Sequence, residues 1–447
     1  MKKLIKILIW FVIVLAVLAV SLLTFNDNRP LEETDYYATT KRKLNALKID
    51  GGYGTALKGG WSKESITANA DIYIAGYGLR DSPASAVHDS IYVRSIVLDN
   101  GQQKVAMITM DLLIAPPLVA AQVIPALGKL GFSRGNIYFG ATHTHSSAGG
   151  WAGGPGGRAM AGPKNEQMIK TIADAIVRSV KKAEATAADC KIGFQKINAG
   201  DYVSNRLFGE TADEDPWLRI MKIEKANKES ALVLTYAAHP TDIPKDDNRI
   251  SADYPGMLVS NLEKSSVCNF AAFFAGAVGS MRPTDNGADA YAKAELIASN
   301  LAHLIKTSSS SLKTDTTSLI RSAYLPLALH APQLRLSKHI RIRPWVFNWL
   351  MGEQEVGMNA LRIGEMIWIG TPCDYSGMLY SRSDSAAQKM GKDLIITSFN
   401  GGYVGYITPD EYYNEQKAET QEMNWFGPYN GRYFREVIDG LVTGVGR

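Results

Sequence analysis

The sequence predicts an α/β protein, with one large domain in which strands and helices alternate, preceded by a single membrane-spanning helix. Two observations lead to this prediction. One is an uncharged apolar run near the N-terminus, and the other is a series of short apolar or β-branched segments that alternate with segments of helical periodicity. Of the 447 residues, 46% are hydrophobic and 21% are charged. Disorder, collagen-like structure and low complexity are therefore excluded.

The N-terminal residues 7–25 carry no charge and follow Lys2, Lys3 and Lys6. About 20 apolar residues span a bilayer, whereas the apolar core of a signal peptide is usually shorter. No clear A-x-A cleavage site follows, and the lysines precede the run. We therefore expect residues 1–25 to be a signal anchor in the inner membrane, with the rest of the chain outside the cytoplasm. A cleaved signal peptide, which would leave a secreted or periplasmic protein, is the alternative.

The remaining elements follow in order. Residues 26–45 are polar and without periodicity, which predicts a tether. Residues 91–99 and 104–111 flank Asn100-Gly101 and predict a β-hairpin. Helices are predicted at 118–131, 164–183, 288–305 and 376–390. Further strands are predicted at 136–141, 231–238, 269–276 and 393–399, with two more inside 358–370. No internal repeat or linker follows residue 50, so residues 46–447 are expected to form one domain.

Composition also limits the function. The three N-terminal lysines supply most of the net charge of +4, so residues 26–447 carry only +1. A nearly neutral body without a basic block is a poor nucleic-acid binder. The widely spaced Cys190, Cys268 and Cys373 suggest neither a disulfide framework nor a CxxC metal site. We expect buried free thiols.

The strongest local signal follows the predicted strand 136–141. His143 and His145 lie at its end, and alternate residues of an extended segment point to one side, so both imidazoles can face one cleft. A glycine-rich stretch follows and lets backbone approach a ligand closely. Two hydrogen-bonded structural histidines are an equal alternative. We expect this stretch and a later tyrosine to supply substrate-binding residues: Gly149, Gly150, Trp151 and Tyr403.

His239 directly follows another predicted strand, 231–238. Such a histidine is either a metal ligand or a core residue with satisfied hydrogen bonds. Beside the HxH pair it indicates a zinc site, because imidazole is a preferred zinc ligand.

Three other strand ends carry polar residues. Ser280 and Arg282 lie in a segment that matches neither a Walker A loop nor a GxSxG elbow, and alone it reads as a tight turn. Asp374 lies between a strand and a helix, where an N-cap is the simplest interpretation. Tyr403 and Tyr406 follow another strand and, alone, are most simply packing residues.

Taken in order, these segments resemble the catalytic domain of the neutral/alkaline ceramidases, zinc-dependent amidases that act on N-acyl sphingosine. The family's HTHSGPGG-type loop is matched by residues 143–150 (HTHSSAGG), and its second histidine motif by residues 239–241 (HPT). Its P-G-E motif is matched by residues 372–374 (PCD), and its Y-x-x-Y-x-T segment by residues 403–408 (YVGYIT). The resemblance covers roughly residues 46–447.

The resemblance implies a single large mixed-sheet metal-hydrolase domain that binds Zn²⁺. The ligands would be His143, His239, Asp374 and Tyr406. The metal lowers the pKa of its bound water towards about 7 and polarises the substrate carbonyl. His145 would be the acid/base residue and could pass a proton to the leaving amine.

Three departures from the family motifs bear on the expected site and mechanism. The family's G-D-V-S-P loop, whose serine is needed for activity, aligns with residues 279–283, which puts Arg282 at the serine position and Ser280 at the aspartate position. An arginine is not a nucleophile, so we expect direct attack by zinc-bound water, with Arg282 binding a substrate oxygen. Ser280 is the possible substitute nucleophile, but its side chain is expected to point away from the substrate. The family's zinc glutamate is Asp374 here, and a later tyrosine falls near residues 418–419 and is missing.

These features predict a membrane-anchored zinc hydrolase that cleaves a linear amide bond in an N-acylated, lipid-like or amino-sugar-like substrate. Two alternatives stay open. One is a catalytically degenerate relative that binds ligand without turnover, favoured by the altered loop at residues 279–283. The other is an esterase on the same site.

One further segment, residues 334–351, combines alternating basic residues with a cluster of Trp and Phe. The basic residues are Arg335, Lys338, Arg341 and Arg343. The combination suits a boundary between lipid headgroups and acyl chains. It also suits a strand and a lid that pack on the body.

Overall fold

The computed structural model describes residues 2–67, 71–209, 212–284, 289–309, 311–353 and 355–447. In chain order, helices α1 to α10 are Lys2–Leu22, Asp35–Asn45, Pro117–Gly128, Gly154–Ala161, Glu166–Ala185, Asp253–Lys264, Ala290–Ser308, Pro344–Met351, Tyr380–Gln388 and Asn430–Gly446. Strands β1 to β21 are Leu23–Phe25, Asp50–Tyr53, Lys58–Ser65, Ala86–Val87, Tyr92–Asp99, Lys104–Met110, Ile137–Ala141, Ala188–Asn198, Val203–Asn205, Trp217–Lys225, Ser230–Tyr236, Arg249–Ile250, Phe270–Ala275, Met281–Pro283, Leu319–Pro326, Ile340–Ile342, Gly357–Ile363, Met366–Gly370, Asp374–Tyr375, Asp393–Thr397 and Tyr406–Ile407.

Two sheets form the centre of the fold. The larger has eight strands in the order β13-β11-β10-β8-β3-β5-β6-β7, and it is mixed, because only β11–β13 and β6–β7 are parallel pairs. The second has the order β2-β15-β17-β18-β20. Apolar side chains from both sheets form one core cluster between them, in which the Trp368 ring lies against Tyr138 and Phe274. The predicted α/β class and the large mixed sheet are confirmed, whereas the second sheet is an addition.

The predicted hairpin shows how local sequence sets an element. Strands β5 and β6 pair antiparallel through a turn that begins at Asn100, whose side-chain oxygen accepts hydrogen bonds from the backbone N–H groups of Gln102 and Gln103 at 3.0 and 2.8 Å. Gly101 adopts a φ of 85°, which glycine tolerates without the steric cost of a side chain.

Element boundaries differ from the predictions at several places. The helix predicted at 288–305 is α7, and Ala288 lies outside the described residues. The helix predicted at 376–390 begins only at Tyr380, after a short 3-10 turn. The strands predicted inside 358–370 are β17 and β18, and the three cysteines are buried and free, as expected.

The tether prediction for residues 26–45 is wrong, because these residues include α2, which packs on the body. Tyr37 and Thr40 are buried, and the Thr40 hydroxyl lies 2.8 Å from that of Tyr433 on α10. Leu44 fits against Gly440 of α10, where a Cβ atom would approach a Leu44 methyl carbon to 2.4 Å. These three contact positions lie three and four residues apart, but two of them carry hydroxyl groups, so hydropathy does not reveal them.

Helix α1 is exposed along its length and is long and apolar enough to cross a membrane, a property that an N-terminal signal sequence shares. It ends at Leu22, earlier than predicted, because residues 23–25 form β1 and pair antiparallel with β16. Arg343 holds the end of the helix. Its backbone N–H donates to the Leu22 carbonyl and its Nε to the Val20 carbonyl, both at 2.8 Å, which satisfies two terminal carbonyl groups.

Candidate metal centre

The polar residues singled out in the sequence meet at the carboxyl ends of strands from both sheets. His143 follows β7, His239 follows β11, and Asp374 follows β18. The larger sheet curls so that its two edge strands approach each other: a Cβ atom on Gly140 of β7 would lie 2.3 Å from the Phe274 ring of β13. Residues that are far apart in the chain are therefore brought together at the carboxyl ends of the strands. Ligand sites of open α/β sheets lie at the same end of the sheet.

Three histidines form the centre of this site. The Nε2 atom of His143 lies 2.9 Å from that of His239, and the Nε2 atom of His145 lies 3.2 and 3.1 Å from these two. His143 adopts a φ of 65°, a left-handed conformation that costs a non-glycine residue energy and is concentrated at functional sites. The described residues thus contain a group of three histidines that can hold a metal ion.

The hydrogen bonds of the histidines define their tautomers. Nδ1 of His143 lies 2.5 Å from the Leu113 carbonyl and Nδ1 of His239 lies 3.2 Å from the Val278 carbonyl. A carbonyl oxygen can only accept a hydrogen bond, so the Nδ1 atom of each of these two rings carries the proton. Each neutral ring therefore points the lone pair of its Nε2 atom at the other ring. Burial lowers the pKa of His143 to about 3 and the pKa values of His145 and His239 well below the usual range. Facing lone pairs at this distance fit a bound cation.

Asp374 lies beside the histidines and is fully buried. Its Oδ1 is 3.4 Å from Nε2 of His143 and accepts no hydrogen bond within the described residues, while its Oδ2 accepts one from the Tyr403 hydroxyl at 2.7 Å. Burial raises the pKa of Asp374 to about 7, against the lowering effect of the Tyr403 bond. One oxygen oriented by a hydroxyl and one left without a partner is the arrangement expected of a metal ligand.

Tyr406 and a partly buried ion pair complete the site. Nη2 of Arg206 donates to the Tyr406 hydroxyl at 2.9 Å, and Nε of Arg206 donates to Glu419. Burial lowers the pKa of Arg206, but the neighbouring Tyr406 and Glu419 raise it by more than burial lowers it. The net pKa is above its usual range, so the guanidinium stays charged. The second Glu419 oxygen, Oε2, is buried and has no hydrogen-bond partner among the described residues.

A cavity of about 640 Å³ opens onto this centre. The three histidines, Arg206, Tyr406 and Glu419 line its polar side, and Leu113, Ile114, Met160, Leu207 and Met423 belong to its walls. Mostly apolar walls around a few convergent polar groups are typical of small-molecule sites.

Comparison with known proteins places the chain in a family. The family model described as neutral/alkaline non-lysosomal ceramidase, N-terminal, matches residues 58–299, more than half of the chain. The chain belongs to this ceramidase family. The resemblance deduced from the motifs is therefore confirmed.

Individual ceramidases match over different extents. The neutral ceramidase of Mycobacterium tuberculosis is 24% identical over 217 residues, which are 44% of this chain and about a third (34%) of that protein. The crystal structure of neutral ceramidase from Pseudomonas aeruginosa has a TM-score of 0.76 at 17% identity and covers 87% of this chain and 74% of its own. A structure of a ceramidase complexed with C2 has a TM-score of 0.78, also at 17% identity, with coverage of 87% and 75%. The fold is therefore shared over most of the chain.

The ceramidase loop that departs from the family motif lies outside the cavity. Arg282 is exposed, and its Nε is 3.3 Å from the Ser204 hydroxyl, so the expected clamp on a substrate oxygen is not in place. The reason is strand pairing: β14 pairs with β9, which turns Met281 and Pro283 inward and the residue between them outward. Ser280 is buried with its hydroxyl 2.7 Å from that of Ser376, and it too does not line the cavity.

The glycine-rich ceramidase loop lies beside the site rather than in it. Gly149, Gly150 and Trp151 are buried, and the indole N–H of Trp151 donates to the Ala148 carbonyl at 2.8 Å. Trp151 lines a second cavity of about 520 Å³, which shares Ile114, Met160 and Tyr403 with the first. Of the predicted substrate-binding residues, only Tyr403 lines the cavity at the metal centre.

Sequence reasoning missed the Arg206–Glu419 pair. Arg206 follows the short β9 in a polar loop without a motif, and its backbone N–H donates to the Ser280 carbonyl at 2.9 Å. Glu419 lies in a single turn of π-helix, a rare conformation often found at functional sites. The one signal in the sequence was that Glu419 lies near the position where the family has a tyrosine that this chain lacks.

Proposed function

We propose that this protein is a zinc-dependent hydrolase that cleaves a linear amide bond of an N-acylated, lipid-like substrate. The observation that carries the proposal is the convergence of three histidine Nε2 atoms and the unpartnered Asp374 Oδ1 beside a largely apolar cavity, in a chain of the ceramidase family. The matched relatives are named as ceramidases, which act on such amides, and this supports the substrate class.

The donor set fits zinc. Neutral imidazole nitrogen and carboxylate oxygen are ordinary zinc ligands, and His143, His239 and Asp374 each have the second contact that orients a ligand. Tyr406 is the fourth ligand by the family motif, and its hydroxyl is bonded to Arg206. When bound, zinc supplies Lewis-acid polarisation of the amide carbonyl and activation of a water molecule.

His145 differs from the other two histidines in ways that suit proton transfer. It is only partly buried, it lines the cavity, and its Nδ1 has no hydrogen-bond partner among the described residues. No carbonyl therefore holds its ring in one tautomer. We assign it the role of passing a proton to the leaving amine.

Arg206 takes the role that the sequence predicted for Arg282. Its guanidinium is held by Glu419 and Tyr406 on the cavity wall, so it offers a fixed positive charge where negative charge develops on the carbonyl oxygen. Glu419 also lines the cavity, and its unpartnered Oε2 would accept a hydrogen bond from a substrate hydroxyl or amine that reaches it. The apolar walls would hold the acyl chain.

The experiment that tests the function uses the purified full chain in detergent. Zinc is measured by mass spectrometry, and hydrolysis is followed on N-acyl amines of increasing acyl length and on esters matched to each amide. We expect about one zinc ion per chain and turnover of the amides. Zinc binding without turnover of any amide or ester would identify a binding protein, and turnover of esters alone would identify an esterase.

We predict that Ser280→Ala has little effect on the reaction. The Ser280 hydroxyl contacts Ser376 and not the cavity, so the change removes about one hydrogen bond, worth about 1 kcal/mol. We expect the value of kcat/KM to fall less than about tenfold, with zinc retained, and Ser376→Ala is the matched control. A covalent acyl group trapped on Ser280, or an inactive variant with full zinc content, would refute attack by water.

We also propose that α1 is a retained membrane anchor with the body outside the cytoplasm. Cleavage near residue 25 would remove β1, the strand partner of β16. The protein should therefore fractionate with the inner membrane, and protease added to spheroplasts should digest residues 26–447. A soluble protein whose mature N-terminus lies near residue 25 would contradict this.

A further inference from the structure

The segment that follows β16 is joined directly to the end of α1. Strand β1, which continues α1, pairs with β16, so that Phe25 lies opposite Ile340. Arg343, between β16 and α8, donates two hydrogen bonds to the last turn of α1. Helix α1 has 21 residues and is about 31 Å long at 1.5 Å per residue, enough to cross a hydrocarbon core. If α1 crosses a bilayer, α8 begins at the bilayer surface.

The surface at this junction is apolar and exposed. Trp345 and Trp349 are 56% and 67% exposed, and they lie four residues apart on one face of α8. Phe25 is 79% exposed, and Leu336 and Ile340, in the adjoining turn and strand, are also exposed. We call these five residues the α8 surface. Scattered apolar residues on a protein surface need no explanation, but five exposed apolar residues gathered at one junction indicate an interaction site.

Other residues of the segment pack into the body, which leaves this face of α8 exposed. Phe347, on the other side of α8, is buried against the rings of Trp425 and Phe426. Arg335 and Arg341 are also buried, with their guanidinium groups bonded to backbone carbonyls. The predicted cationic strand is therefore largely structural.

The aromatic face that remains suits a membrane interface, where Trp is enriched. Lys338 and His339 extend into solvent at the tip of the turn beside it.

The α8 surface also borders a route to the metal centre. Trp349 and Met351 line the second cavity, which lies between α8 and α4 and shares Ile114, Met160 and Tyr403 with the first. The Tyr403 hydroxyl in turn donates to Asp374. The two cavities therefore adjoin, and an apolar chain that enters beside Trp349 comes to lie against residues that also line the cavity at the metal centre.

We propose that the α8 surface rests in the interface of the bilayer that α1 crosses, and that a lipid substrate enters from this bilayer through the cavity beside Trp349. The occupant of the surface is the lipid bilayer itself. The second half of the proposal rests on the proposed function, whereas the docking does not.

Docking is tested on the full chain in lipid nanodiscs, with an environment-sensitive fluorophore on one introduced cysteine. The three native cysteines are buried, so labelling of Trp345→Cys or Ile340→Cys is selective. Leu296→Cys, at an exposed apolar position on α7, is the matched control. We expect nitroxide lipids to quench labels at 345 and 340 and iodide to quench the label at 296. Equal quenching by iodide at all three positions would overturn the proposal.

The entry route is tested by activity, because Trp345 lines neither cavity. Trp345→Asp should slow hydrolysis of an N-acyl amine embedded in the bilayer about tenfold and leave hydrolysis of a short, water-soluble N-acyl amine unchanged. Equal rates with both substrates in variant and wild type would overturn the route. Failure of the wild type to hydrolyse either substrate would refute the proposed function, while the quenching result would still decide the docking.

Discussion

Replacing His143 or His239 by alanine is expected to lower the zinc content from about one ion per chain to near zero, and hydrolysis should fall with it to background. Each residue supplies one of the converging Nε2 atoms, and the loss of one ligand of four typically collapses a zinc site. Metal analysis of the purified variants, together with the amide assay, measures both effects.

The matched control for these variants is His303→Ala, which removes an exposed histidine on α7 outside the cluster. It should keep full zinc content and activity. Since a buried histidine is lost in the test variants, their circular dichroism should be compared with that of the wild type stripped of metal. A zinc content near one in both His143→Ala and His239→Ala would remove the basis for the metal centre.

The second large effect is expected for His145→Ala, which should retain most of the zinc but lose about 10²- to 10⁴-fold in kcat, the usual contribution of a general acid or base. The reason is that His145 lacks the carbonyl contact that orients His143 and His239, and faces the cavity. An activated anilide has a less basic leaving group than an alkyl amide and depends less on protonation by a general acid, so its hydrolysis should be affected much less.

That comparison of leaving groups separates proton transfer from a general disturbance of the site. The Nε2 atom of His145 lies 3.2 and 3.1 Å from the Nε2 atoms of His143 and His239, so all three nitrogens can reach one metal ion. If His145→Ala loses zinc as fully as His143→Ala does, then His145 is a ligand and the assignment of the proton carrier is wrong.

The sequence predicted those site residues that local patterns reveal. His143, His239 and Asp374 each follow an apolar strand within a few residues, and the carboxyl ends of such strands meet in an α/β fold. Arg206 could not be predicted in the same way, since its partners Glu419 and Tyr406 are about 200 residues away and only the folded chain brings them together. For Arg282, the sequence contained the charge but not the strand pairing that turns the side chain outward.

The same contrast holds for the fold: elements set by local contacts were predictable from the sequence, and elements set by distant contacts were not. The hairpin β5–β6 was predictable, because its turn residues bond to their own neighbours. Helix α2 was not, because its buried face is recognised only against α10, at the far end of the chain. Helix α10 itself contains four glycines, which lower its intrinsic helix propensity, and one of them makes room for Leu44.

The curl of the larger sheet has a consequence for self-association. Edge strands present unpaired backbone groups that can recruit a strand from another chain, a common start of aggregation. Here β13 and β7 face each other, and three of their carbonyl groups accept hydrogen bonds from outside the sheet ladder or from side chains. The Phe273 carbonyl accepts from the Thr109 hydroxyl at 2.6 Å, the Ala275 carbonyl from the Ser398 N–H at 3.0 Å, and the Phe139 carbonyl from the Asn400 side chain at 2.7 Å. The closure that gathers the candidate ligands therefore also protects two strand edges from intermolecular pairing.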